Sequence, residues 1–156
     1  MKIRLLVIGK TTPKYWLEVL DEYSSRLVHY TKFSVEHLPD VKRNRNTLPT
    51  QLKEQEAGVF MKKLNVTDFV VLLDEKGKSY SSEKFAKQLS SWQNKYSSIV
   101  FIAGGAYGFG EQMYARANHL LSLSSMTFSH QMVRAIFIEQ LYRAFTIIKG
   151  EPYHHK

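Results

Sequence analysis

The chain has 156 residues, no cysteine, a formal net charge of +8, 44% hydrophobic and 23% charged residues. That length and balance exclude wholesale disorder and predict one domain, residues 1–156, with a sizeable core. The missing thiols exclude disulfides, thiolate nucleophiles and cysteine-based zinc sites; no metal centre is expected, and a reducing, cytoplasmic setting is.

The first predicted element is the strand KIRLLVIG, 2–9, too short and too interrupted by Arg4 for a signal peptide. Thr12-Pro13 reads as a helix N-cap and first-turn proline, and Trp16, Val19, Leu20, Tyr23, Leu27 and Tyr30 follow at helical spacing. KFSVEHL, 32–38, is a second strand, followed by a basic loop, 39–49, carrying Lys42, Arg43 and Arg45 between two prolines. A helix over 50–64 turns Leu52, Val59, Phe60 and Leu64 inward. DFVVLLD, 68–74, is apolar on both faces, as the centre of a parallel sheet should be. EKGKSY reads as a turn, after which Ser81 or Ser82 caps a helix carrying Phe85, Leu89 and Trp92. SIVFIAGG, 98–105, is another apolar strand; a short helix over 110–118 and a short strand, HLLSLS, complete the alternation before a long helix, 131–149. Strand alternating with helix, without repeats or linkers, predicts an α/β domain: a mostly parallel sheet with helices on both faces. No run approaches the roughly 20 apolar residues that cross a bilayer, so no membrane association is expected.

In such sheets ligands bind outside the carboxyl ends of the strands. Three ends stand out: Leu73-Asp74, Gly104-Gly105 and Leu123–Phe128. The glycine run GGAYGFG, 104–110, follows a strand and precedes a helix, but its spacing is not G-x-G-x-x-G, and no acidic residue stands about 20 positions on. GKT at 9–11 lacks the first glycine of a phosphate loop. Taken alone, the glycines fit tight turning and helix packing as well as ligand approach. The charge excess, +5 up to Val66 and +3 beyond it, is spread along the chain and fits either a polyanionic partner or a basic soluble enzyme.

The C-terminal third is more specific. His130 and Arg134 open the last helix four residues apart, and Val133, Phe137, Leu141, Ala144, Phe145 and Ile148 form one apolar arc. Met132, Ile136 and Ile147 lie on the other side, beside Glu139 and Arg143; a helix covering one sheet face needs a single apolar stripe, so the second set predicts a homodimer. The polar tail GEPYHHK ends in Tyr153, His154, His155 and Lys156, groups suited to stacking on a base and pairing with phosphates.

FIAGGAYG, LSLSSMTFSHQMVR, EQLYRAF and the final YHHK together resemble the ribosomal RNA large subunit methyltransferase H family, and the resemblance runs the length of the chain, with Ser129 departing from the proline often found there. It implies a SPOUT-type fold with a C-terminal trefoil knot, and S-adenosyl-L-methionine as cofactor, held by Leu73, Gly104, Leu123, Ser124, Ser125, Met126, Thr127 and Phe128. It also implies a substrate: N3 of a pseudouridine in 23S ribosomal RNA, within the ribosome. The reaction is an in-line displacement at an activated methyl carbon, with the N3 proton lost on the way. His154 is the candidate base, being the side-chain type that titrates near neutrality; Tyr153 would stack on or orient the base, and Arg134 would hold a phosphate or carbonyl. Lys42, Arg43, Arg45, His130, Arg143, His155 and Lys156, with Arg134, are the expected RNA contacts. A nonenzymatic ribosome-binding factor of the same fold and a nicotinamide oxidoreductase are the rival classes; calorimetry with S-adenosylmethionine and with a dinucleotide separates them.

Overall fold

The structure is a computed structural model that describes residues 1–155; the expected RNA contact Lys156 lies outside them. Ten elements alternate: β1 (Lys2–Ile8), α1 (Lys14–Leu27), β2 (Lys32–Leu38), α2 (Pro49–Met61), β3 (Phe69–Ser79), α3 (Ser82–Lys95), β4 (Ser98–Ala103), α4 (Glu111–Arg116), β5 (His119–Ser122) and α5 (Met132–Ile148). The strands form one sheet in the order β2-β1-β4-β3-β5, and every neighbouring pair is parallel.

Successive strand residues point to opposite faces, and both faces are apolar. Ile3, Leu5, Val7, Val71, Leu73, Phe101 and Ala103 join residues of α1, α3 and α5 in one core. Leu6, Ile8, Val70, Leu72, Val100 and Ile102 join residues of α2 and α4 in the other. Arg4, which interrupts the β1 pattern, is buried against Asp68 at 2.9 Å, with Lys63 O at 3.1 Å and Glu36 Oε1 at 3.4 Å completing its shell.

Three local expectations are corrected. Pro13, not Thr12, takes the cap position of α1, and no side chain caps that helix; the Thr12 amide is met instead by Gln131 Oε1 at 3.1 Å. The second helix ends at Met61, short of Leu64. EKGKSY is not a turn: β3 continues through it to Ser79, with a register shift that lets Leu73 and Lys78 both face Leu121. Gly77 permits this, because a Cβ there would stand 2.5 Å from the Leu120 carbonyl carbon and 2.7 Å from Leu121 N. Of the two serines, Ser81 caps α3, its hydroxyl accepting from Lys84 N at 3.2 Å.

Candidate functional site

Because β4, β3 and β5 are neighbours, the three segments marked in the sequence as strand ends meet, although β3 itself runs on past Asp74 to Ser79. Between them, α2 and α4 lies a cavity of about 1020 Å³. Leu73, Gly104, Leu123, Ser124, Met126, Thr127 and Phe128 line it; Ser125 does not, and its side chain is exposed. Leu121, Phe109 and Val133 add apolar wall. Gly104 has Phe109 so close that a Cβ would sit 3.2 Å from its ring, and the following turn closes on Gly108, whose φ of +79° favours glycine.

The 123–131 loop is braced by its own hydroxyls. Ser124 Oγ accepts from Met126 N at 3.0 Å, Ser122 Oγ donates to Ser124 O at 3.0 Å, and Ser129 Oγ accepts from Met132 N at 3.1 Å. Ser129 thus supplies by hydrogen bonding a constraint that a proline would supply by its ring.

Beside Asp74, which the sequence marked, the wall contains Glu54, Glu75, Glu111 and Tyr114, which it did not. Asp74 accepts from the Tyr114 hydroxyl and, at 2.8 Å, from Lys76 N; Glu75 accepts from Thr127 Oγ1 at 3.0 Å. Desolvation, then Asp74, pushes the Tyr114 hydroxyl up to about 12, so Tyr114 stays a donor. In a chain of net charge +8, this wall carries the carboxylates of Glu54, Asp74, Glu75 and Glu111 against the ammonium groups of Lys53 and Lys76. It suits a cationic ligand and repels phosphate. The signal available in sequence was the pair Asp74-Glu75 directly after an apolar strand; Tyr114 and Glu111 had none.

His130 lines the same cavity, its imidazole pushed below the ordinary histidine value by desolvation and then by Arg134. Arg134 does not line it. The expectation that Arg134 holds an RNA phosphate or a carbonyl of the target base is corrected: its side chain is buried, donating to Ile8 O at 2.5 Å, Thr11 Oγ1 at 3.0 Å and Gly9 O at 3.1 Å. Where β1 leaves the sheet its last carbonyls lose their strand partners, and Arg134 satisfies them. Burial pushes its guanidinium down to about 10.

The tail folds back on α5. Tyr153 donates to Glu139 Oε1 at 3.0 Å and lies 3.2 Å from the Tyr23 hydroxyl. Arg143 Nη1 can only donate, so His154 Nδ1, 3.2 Å away, accepts; Nε2 then carries the proton and donates to Glu83 Oε1 at 3.0 Å. Arg143 spends Nε and Nη2 on Glu139 Oε1, at 3.1 and 2.5 Å, and stacks over Tyr153, so it is not a free cation for RNA. Tyr153, His154 and His155 do not line the cavity of their own chain. Lys42, Arg43 and Arg45 are exposed and form no ion pair among the described residues.

A family profile described as a predicted SPOUT methyltransferase matches residues 1–154. The chain belongs to the SPOUT methyltransferase family. Its SPOUT relatives include proteins named Ribosomal RNA large subunit methyltransferase H from Parabacteroides distasonis, 49% identical, and Flavobacterium johnsoniae, 48% identical; each alignment spans 157 residues and all of both chains. The SPOUT fold is matched by a probable methylase family protein from Haemophilus influenzae, with a TM-score of 0.58 and 11% identity, over 99% of this chain and 70% of that one. A probable methyltransferase from Bordetella pertussis matches with a TM-score of 0.59 and 7% identity, over 92% and 93% respectively. SPOUT methyltransferases generally use S-adenosylmethionine, and a large, part-apolar, acid-rimmed cavity fits that cofactor: apolar wall for adenine, carboxylates for ammonium and sulfonium.

Proposed function

We propose that this chain binds S-adenosyl-L-methionine in the β4-β3-β5 cavity and methylates N3 of a pseudouridine in 23S ribosomal RNA, acting as a cytoplasmic homodimer. The acid-rich cavity wall in a basic chain carries the reading, with the full-length identity to ribosomal RNA methyltransferases supplying the substrate class. The cofactor supplies an activated methyl group on sulfur; the chain's own residues orient it, exclude water and manage the N3 proton.

Leu73, Leu121, Leu123 and Phe128 form the apolar wall, and the glycine turn at Gly104 allows close backbone approach. The C-terminal knot implied by the family resemblance belongs to the same reading, since the two loops it involves, 104–110 and 123–131, both border the cavity. Tyr153 and His154 act in the cavity of the partner protomer. For His154 to take the N3 proton at Nδ1, Arg143 must release that nitrogen; Nε2–H bonded to Glu83 would then steady the imidazolium. The dimer supplies the surface to which the tail is handed over, and Lys42, Arg43, Arg45, His130 and His155 face the RNA.

The deciding experiment is methyl transfer from labelled cofactor to ribosomes lacking the modification, followed by mapping of the labelled nucleotide. Label at N3 of a 23S pseudouridine is the expected result. Cofactor binding without transfer to ribosomes, subunits or free ribosomal RNA would defeat the substrate assignment and leave the cavity assignment standing.

A further inference from the structure

Beside the cavity lies a second, smaller hollow of about 380 Å³, walled by Lys78, Ser79, Tyr80, Lys84, Lys87 and Gln88. No carboxylate lines it, and Lys78, Lys84 and Lys87 are exposed. On other helix faces Lys14 pairs with Glu18, Arg26 with Glu22 and Arg143 with Glu139, each one turn away. None of the three lysines has such a partner among the described residues. Lys84 and Lys87 stand one turn apart on α3, where like charges repel, so the cluster is held together at a local cost that an external anion would remove.

The hollow is also organised. Lys78 Nζ sits 5.1 Å from the centre of the Tyr80 ring, and the Tyr80 hydroxyl is 3.2 Å from His119 Nε2 at the start of β5. His119 is held below the ordinary histidine value by desolvation and then by Lys78, so the imidazole adds a neutral partner that fixes the tyrosine. The hollow and the cavity are neighbours along β3: Lys76 lines the cavity and Lys78, two residues on, lines the hollow, at the end of the register shift between Leu73 and Lys78.

We propose that Lys78, Lys84 and Lys87, steadied by Tyr80, bind the phosphodiester backbone of the RNA strand whose target base enters the adjoining cavity. The inference rests on the RNA-methyltransferase reading and adds to it a surface on α3 and the β3 extension. Three ammonium groups in no ion pair among the described residues suit a polyanion; flanking phosphates held here would keep the strand in register while the acid-rimmed cavity, which repels phosphate, admits only the base and the cofactor.

The test measures anisotropy of a fluorescein-labelled RNA hairpin against potassium chloride concentration, for wild type, the triple variant Lys78→Ala/Lys84→Ala/Lys87→Ala, its all-arginine counterpart, and Lys42→Ala/Arg43→Ala/Arg45→Ala. Each phosphate contact contributes about 0.7–0.9 to the slope of log affinity on log salt, so the alanine triple should lose about 2–3 of slope. Its loss of affinity between 0.05 and 0.2 M salt should be roughly 20- to 40-fold smaller than the wild type's. The arginine triple should keep the wild-type slope, and calorimetry should find S-adenosylmethionine affinity unchanged in all variants. A wild-type slope in the alanine triple, with slope lost only in the loop variant, overturns this inference and leaves the RNA reading intact. Loss of binding to polyglutamate but not to RNA overturns it in favour of an acidic protein partner. Wild-type protein that binds cofactor but shows no salt-dependent RNA affinity overturns both.

Discussion

Arg4 and Arg134 show how a cation is tolerated deep in an otherwise apolar framework. Each exchanges water for several oxygen acceptors at once: Arg4 for Asp68 and Lys63 O, Arg134 for two strand-end carbonyls and a threonine hydroxyl. Removing one partner of such a pair strands the other, so Arg4→Ala should destabilise the fold by about 3–5 kcal/mol in urea unfolding, because the Asp68 carboxylate stays buried. Arg4→Met combined with Asp68→Asn, which removes both charges but can still bond Asn65 N and the Ser98 hydroxyl, should recover part of that loss, whereas a polar surface role for Arg4 predicts neither effect. Arg134 has Nε as the one buried side-chain nitrogen or oxygen without a partner among the described residues, consistent with a side chain placed for its two terminal nitrogens. Its chemistry was readable from sequence but its fate was not: a helix-borne arginine looks the same whether it faces RNA or the end of a strand.

At the scale of elements, the β3–β5 pair sets the cavity, because Leu73 and Leu121 lie side by side on adjacent strands at its floor. Gly77 is the point where β5 comes closest, and the atoms a new Cβ would meet are main chain, which cannot swing aside. Gly77→Ala should therefore cost about 1–3 kcal/mol by overpacking and should weaken cofactor binding by calorimetry as β5 shifts. An alanine variant with wild-type affinity and melting temperature would show that the strands have slack. The tail is a second such element. His154→Ala should leave cofactor affinity unchanged and slow single-turnover methyl transfer about 100-fold or more if the imidazole moves the proton. An unchanged single-turnover rate would remove it from the chemistry. His154 and its neighbours were legible as candidates because aromatic and imidazole groups are rare company in a polar terminus. Their latching by Glu83, Glu139 and Arg143 was not, since those partners are 71, 14 and 11 residues away.

For the whole molecule, the question is whether one chain makes one site. The cavity and the tail of the same chain do not meet, so a dimer working in trans predicts complementation. Mixing a His154→Ala protomer with a cavity-blocked Gly104→Val protomer, each inactive alone, should restore about a quarter of wild-type transfer if subunits pair at random in a two-fold dimer. Zero recovery from verified heterodimers would place the tail in its own chain's site, and a monomeric mass in light scattering at micromolar concentration would dismiss the dimer. Stability with pH is also a property of the whole fold. Partial desolvation, then the charges of Arg134 and Lys78, holds His37, His119 and His130 below the ordinary histidine value, so the unfolded chain binds protons first on acidification. Their contribution is complete above about pH 6.5 and is lost as pH falls below it. Glu56, raised by desolvation and then by Asp40, acts in the opposite sense. The melting temperature of Glu56→Gln should accordingly drop between pH 7.5 and 5.5, and a flat profile would contradict the lowered histidines.

The order and type of every element followed from local pattern, because burial on one face or two leaves its period in the chain whatever lies opposite. So did the strand ends at Gly104 and Leu123, though not the one at Asp74, which β3 runs past to Ser79, and so did the unusual tail and the resemblance that led to the family. Two things were settled only by tertiary structure: which strands are neighbours, and which charged groups are already taken. The order β2-β1-β4-β3-β5 brings the three loops to one cavity, and acceptors more than 120 residues away turn Arg134 inward, while Lys78, Lys84 and Lys87 have no ion-pair partner among the described residues. Both depend on contacts between residues far apart in the chain, and a residue's own neighbours in sequence carry no record of them.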